Sequence, residues 1–97
     1  MKLLFTAPAL ADVESIIAYI SEMSPAAAKR VYARIMAVAD RASQHPRLGK
    51  RTSNPKLRRM TVTPYPYLLF YEPARDGVIV HAVRHGARDP SSMPGGT

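Results

Sequence analysis

The chain has 97 residues, no cysteine, and a formal charge of +7 from 14 Lys and Arg against seven Asp and Glu. That length holds one domain with a modest core and leaves no room for a deep substrate cavity. The missing thiols exclude disulfides and thiolate metal sites, and the positive balance favours an anionic partner such as nucleic acid, a nucleoprotein machine or an acidic protein.

KLLFT, residues 2–6, is a short apolar run that suits an N-terminal strand. MKLLFTA is too brief for the hydrophobic region of a secretion signal and far below the roughly 20 residues of a membrane span, so a soluble, cytoplasmic protein with no membrane partner is expected. Thr6 then offers a hydroxyl cap, Pro8 suits a first helical turn, and Asp12 and Glu14 would lie near the positive end of the helix dipole. Leu10, Val13, Ile16, Ile17 and Ile20 step by three and four, which gathers them into one stripe facing a core until the pattern stops at Ser21.

Ser24-Pro25 repeats the cap and first-turn pair, and Ala28, Val31, Ile35, Val38 and Ala42 carry a second stripe to about Gln44, before Pro46. A linker of about three residues would fold these helices into an antiparallel hairpin. Tyr19, Tyr32 and Met36 read first as packing residues. HPRLGKRTSNPK, residues 45–56, is rich in Pro, Gly, Ser, Asn and positive charge and reads as a long connecting loop. No acid occurs between Asp40 and Glu72, whereas Arg41, Arg47, Lys50, Arg51, Lys56, Arg58 and Arg59 all fall there. A run of that kind is either a solvated face or a docking surface.

The remainder is β. LRRMTVT alternates, with Met60 and Val62 on one face and Arg59, Thr61 and Thr63 on the other. TPYP makes a turn into PYLLFYE, and an Asp76-Gly77 turn leads to VIVHAV. A three-stranded antiparallel meander results, joined by the N-terminal strand and covered on one face by the helical hairpin. The expected fold is α+β in the order β-α-α-β-β-β, one domain over residues 1–89. Residues 90–97, within DPSSMPGGT, read as a flexible tail.

The last strand runs out in HAVRHGARD, where apolar alternation gives way to Arg84, His85, Gly86 and Arg88. Cations at the end of a covered strand make a surface for an anionic partner. Arg84 has an alternative as the ion-pair partner of a carboxylate such as Asp89. Arg58 and Arg59 point to opposite faces, so Arg59, beside Thr61 and Thr63, is the exposed cation and Arg58 the structural one. His81 reads as a hydrogen-bonded sheet residue. The three histidines, His45, His81 and His85, lack metal-ligand spacing, so neither metal nor cofactor is expected.

The helix phrase A-x-x-D-V-x-x-I-I-x-Y-I at residues 9–20, the Pro25-Ala-Ala opening, His45-Pro-Arg-Leu-Gly49, Leu57-Arg-Arg-Met60, Pro66-Tyr-Leu-Leu-Phe-Tyr71 and Val83-Arg-His-Gly-Ala-Arg88 occur in an order that resembles the RelE/ParE superfamily. Its members are the toxin halves of toxin–antitoxin or plasmid-stabilisation pairs. The resemblance implies a cognate, often acidic antitoxin and one of two targets. The RelE-like branch cuts messenger RNA on the ribosome; the ParE-like branch is described as poisoning DNA gyrase without a recognised reaction of its own.

Cutting RNA needs a base for the 2′-hydroxyl, a cation for the phosphate and an acid for the leaving oxygen. By resemblance, two lysines of the nuclease branch fall on Arg59 and Thr61, an arginine falls on Leu68, another falls on Arg88, and a C-terminal tyrosine has no equivalent after Tyr71. Folding the strands about Pro64-Tyr65 and about Arg75 would put Thr61 near Leu68 and Leu68 near Ala82 or Val83. Two cationic positions of that patch are therefore neutral. The favoured expectation is a ParE-like, non-enzymatic gyrase inhibitor whose target surface comprises Arg59, Arg84, His85, Arg88, Lys50 and Arg51. If the chain were a nuclease, Arg59, Arg84, His85 and Arg88 would carry the reaction; a third alternative is a degenerate toxin that only binds its antitoxin. The antitoxin groove is expected along the helical hairpin, at Leu10, Ile17, Tyr19, Tyr32 and Met36.

Overall fold

The computed structural model describes residues 2–86. Its elements are β1 (Lys2–Phe5), α1 (Ala7–Met23), α2 (Pro25–Gln44), β2 (Lys50–Arg51), β3 (Arg58–Thr61), β4 (Tyr67–Ala74) and β5 (Gly77–His85). The five strands form one sheet in the order β1-β5-β4-β3-β2. Its β1–β5 pair is parallel and the others antiparallel. The α+β class and the hairpin-on-sheet arrangement are as the sequence implies. The segment expected as one loop holds the two-residue β2, which pairs with Arg58 and Arg59.

Both helices start on side-chain caps that satisfy amides left open at a helix N-terminus. The Thr6 hydroxyl accepts from the Ala9 N–H at 3.2 Å and the Ser24 hydroxyl from the Ala27 N–H at 3.1 Å. Ser24 also closes α1, donating its N–H to the Ile20 carbonyl at 2.8 Å. One residue rather than three therefore joins the helices. Because α1 begins at Ala7, its first turn holds no acid; Asp12 lies beyond the reach of the dipole and has a different use, described below.

The core lies between the hairpin and the sheet. Ala9, Val13, Val31, Ile35 and Val38 meet Val62, Leu69, Tyr71, Val80 and Val83 there. Burying a side chain such as Ile35 contributes about 1.5–3 kcal/mol. The predicted α1 stripe is too wide: Leu10 is 48% exposed, while Ile16, Ile17 and Ile20 are only partly buried. Alanine at position 9 replaces Leu10 at the core because α1 lies close against β5.

Gly77 permits the close approach of β1, which it faces at Lys2. A Cβ there would collide with the Lys2 backbone carbonyl. Along β4 and β5 the register departs from expectation, since Leu68 faces Arg84 rather than Ala82 or Val83. The turn spans Arg75 and Asp76, with Ala74 opposite Gly77, and an irregularity follows between Phe70 and Tyr71. Phe70 faces Ala82 while Tyr71 faces Val80, so His81 is the extra residue of a β-bulge. Each step moves the register by one residue.

Candidate functional site

Strand alternation puts the sheet's chemistry on the face turned away from the helices. Lys50, Arg59, Phe70 and Ala82 form one cross-strand row, and Thr61, Leu68 and Arg84 the next. Paired neighbours in such rows lie about 4.8 Å apart in the hydrogen-bonding direction. Phe70 is 0% and Ala82 2% exposed, and Leu68 packs on them as an apolar cluster separate from the main core. Beside this cluster is a hollow of about 440 Å³ whose lining includes Lys50, Arg59, Thr61, Leu68 and Gly86. Arg59 is half-buried, and the Thr61 and Thr63 hydroxyls share a hydrogen bond at 3.0 Å.

Arg84 is held from the helix side. β1 ends at Phe5, opposite Val80, so the next stretch of β5 has no neighbouring strand on that edge. Asp12 of α1 fills the gap: its Oδ2 accepts the Val83 N–H at 3.0 Å and lies 3.4 Å from Arg84 Nε. That Nε is buried and makes no hydrogen bond of good geometry, so the Asp12 charge is its compensation. Asp89, the partner considered from sequence, lies outside the described residues.

His85 and Tyr67 are cross-strand partners, and their rings meet edge to face with centroids 5.5 Å apart. Burial, and secondarily the nearby Tyr19, push the Tyr67 phenol above its ordinary pKa. Asp12, Tyr19, Tyr67, Arg84 and His85 line a groove of about 340 Å³ between α1 and the end of β5. His81 Nε2 lies 2.9 Å from Glu72 Oε1, both half-buried.

The segment between α2 and β3 is fastened to the sheet by two side chains. The Tyr71 phenol, fully buried, accepts the Gly49 N–H at 2.9 Å and donates to the Pro46 carbonyl at 2.7 Å. Burial raises its pKa, partly offset by the Gly49 hydrogen bond and by Arg58. Arg58 donates from Nη1 to the Arg47 and Gly49 carbonyls at 3.2 and 2.9 Å.

The residues assigned to the target surface fall into three places. Lys50 and Arg59 share the open-face hollow, Arg84 and His85 line the α1–β5 groove, and Arg51 borders a third hollow with Thr52, Asn54 and Arg58. The first two places touch through the Leu68–Arg84 pair; Arg88 and the tail assigned to residues 90–97 lie outside the described residues. The residues assigned to the antitoxin do not make one patch. Leu10 and Tyr19, nine positions apart, are about two and a half turns along α1 and so on opposite flanks. Tyr19 and Tyr32 are 65% and 48% exposed, so they are surface residues rather than packing ones, whereas Ile17 and Met36 pack against the core.

Sequence reasoning missed Asp12 and Tyr71 as fasteners, because contacts 71 and 22 positions apart leave no periodic trace. Among the described residues, no group of three or more His, Cys, Asp or Glu is placed to hold a metal ion. Nor is any helix long and apolar enough to cross a membrane.

A helical hairpin laid on a five-stranded mixed sheet defines the class. A chain described as the chromosomal ParDE TA system from P. aeruginosa superposes with a TM-score of 0.75 at 18% identity, over 88% of this chain and 95% of that one, which is a likeness of fold. The model of the ParE toxin of the type II toxin–antitoxin system parDE matches residues 3–90. Toxin RelE2 of Caulobacter vibrioides (strain ATCC 19089 / CIP 103742 / CB 15) is 37% identical over 87 residues, 90% of this chain and 97% of that protein. The chain thus belongs to the ParE toxin family of type II toxin–antitoxin systems.

Proposed function

We propose that this toxin inhibits DNA gyrase by binding, without cutting RNA itself, and that an acidic cognate antitoxin neutralises it. The observation that carries this reading is the row Thr61–Leu68–Arg84. Transesterification of RNA needs a base, a phosphate-binding cation and an acid aimed at one point. This row supplies one cation, already 3.4 Å from the Asp12 carboxylate. His85, the nearest imidazole in sequence, follows Arg84 on the strand and so faces the opposite side of the sheet, against Tyr67.

What remains is a surface suited to holding a partner. Lys50, Arg59 and Arg84 flank an apolar floor of Leu68 and Phe70, which favours a large folded target over a phosphate chain alone. The name of the 37% identical relative, RelE2, favours the second reading, a ribosome-dependent endoribonuclease. Inducing the toxin without its antitoxin separates the two. Gyrase inhibition predicts filamentous cells and a DNA-damage response while translation continues; early arrest of translation with cleaved messages would overturn it. Unchanged growth would assign the chain to toxins that retain only antitoxin binding.

A further inference from the structure

The acid-free run of cations does not stay together in the fold. Lys50 and Arg59 turn to the open-face hollow, while Arg41, Arg47 and Lys56 stand at a second hollow of about 820 Å³ between the end of α2, the 45–56 segment and the end of β4. Among the described residues, the two hollows share only Leu48. Arg41, Arg47 and Lys56 are exposed, and their side chains enter no ion pair or hydrogen bond among the described residues. Between them Pro46, Leu48, Pro55 and Pro73 supply an apolar floor, interrupted by Gln44, His45 and Arg58. Glu72, the one carboxylate among the groove's described lining residues, is engaged by His81 at 2.9 Å.

The walls are set before any ligand arrives. Tyr71 ties Pro46 and Gly49 to the sheet, and Arg58 binds the Arg47 and Gly49 carbonyls. A fixed groove loses less entropy on binding than a mobile loop does.

We propose that this groove docks an extended acidic segment of a partner protein, with carboxylates on the Arg41, Arg47 and Lys56 rim and aliphatic side chains on the proline and leucine floor. A single-stranded nucleic acid fits less well, since such sites stack successive bases on several aromatic rings, and among the described lining residues the His45 imidazole is the one aromatic ring. The inference goes beyond the choice between gyrase and ribosome and does not depend on it.

The test uses the full chain and a labelled synthetic peptide alternating Glu with Leu, followed by fluorescence anisotropy. A matched peptide with Gln for Glu and an oligouridylate serve as competing probes. The Glu-Leu peptide is expected to bind most tightly, and Arg41→Glu combined with Arg47→Glu to weaken it about tenfold or more. Lys29→Glu with Arg30→Glu makes the same charge change at the far end of α2 and should weaken it by less than about threefold, a screened long-range effect. All four residues are exposed, so unchanged melting curves show that the variants fold. The proposal is overturned by equal weakening in both double variants, by tight binding of the Gln peptide, by no binding of the acidic peptide, or by oligouridylate binding that alone depends on Arg41 and Arg47.

Discussion

Replacing Tyr71 by Phe removes one oxygen and two hydrogen bonds while keeping the ring that fills the core. The phenol takes the Gly49 N–H at 2.9 Å and gives its proton to the Pro46 carbonyl at 2.7 Å. Gly49 is buried, and a buried donor left unsatisfied costs about 1–3 kcal/mol. The hydrogen bond to the Pro46 carbonyl is only part-buried, so its loss adds less. A net cost of about 2 kcal/mol is a large part of the roughly 5–15 kcal/mol that holds a domain together. With a urea m-value of about 1–3 kcal/mol/M for a small protein, the unfolding midpoint should fall by roughly 1 M with m unchanged. Circular dichroism in a urea titration measures it. A midpoint shift below about 0.2 M would mean that the amide and carbonyl find other partners, and would refute the phenol's role as the fastener of the 45–56 segment.

The same phenol gives a pH dependence. The folded pKa values of Tyr71 and Tyr67 lie above the ordinary 10.0, both chiefly through burial. The unfolded chain therefore loses these protons first. Stability should be intact below about pH 10 and fall as pH rises through the folded values, more steeply in the parent than in Tyr71→Phe, as urea midpoints across that range would record. Asp12→Ala strands the Val83 N–H and the Arg84 guanidinium together and should cost about 1–3 kcal/mol in thermal unfolding, whereas Asp12→Asn, which keeps an acceptor, should cost less; equal losses would mean that charge alone matters. Gly77→Ala forces β1 away from β5 and should destabilise by about 1–3 kcal/mol in urea, and no change would contradict the tight Lys2 approach.

What could be read from the sequence was local. Thr6 and Ser24 mark the helix starts because a cap acts on amides within three residues, whereas the Asp76-Gly77 pair marks its turn one residue late, since the turn is Arg75-Asp76 and Gly77 already pairs in β5. The parallel pairing of β1 with β5 joins Lys2 to Gly77, a separation over which spacing carries no information. Two small features then redistribute the site. The His81 bulge moves Arg84 opposite Leu68, and β2 carries Lys50 onto the row of Arg59. Counting along an unbroken strand anticipates neither. The cation run was visible as composition, but its division among three hollows depends on Tyr71 and Arg58 folding the 45–56 segment back on the sheet. Asp12 was visible as an acid near a helix start; its bond to Val83 exists only because β1 stops short of the end of β5.

The most direct measurement titrates one preparation of the purified toxin into two reconstituted reactions: supercoiling of relaxed plasmid by DNA gyrase, and translation of a defined message with primer extension across its codons. Loss of supercoiling at toxin concentrations that leave the message whole is the predicted result, and it should weaken when Arg59 or Arg84 becomes Ala. Many cuts in the message per toxin molecule, with gyrase untouched, would contradict the account.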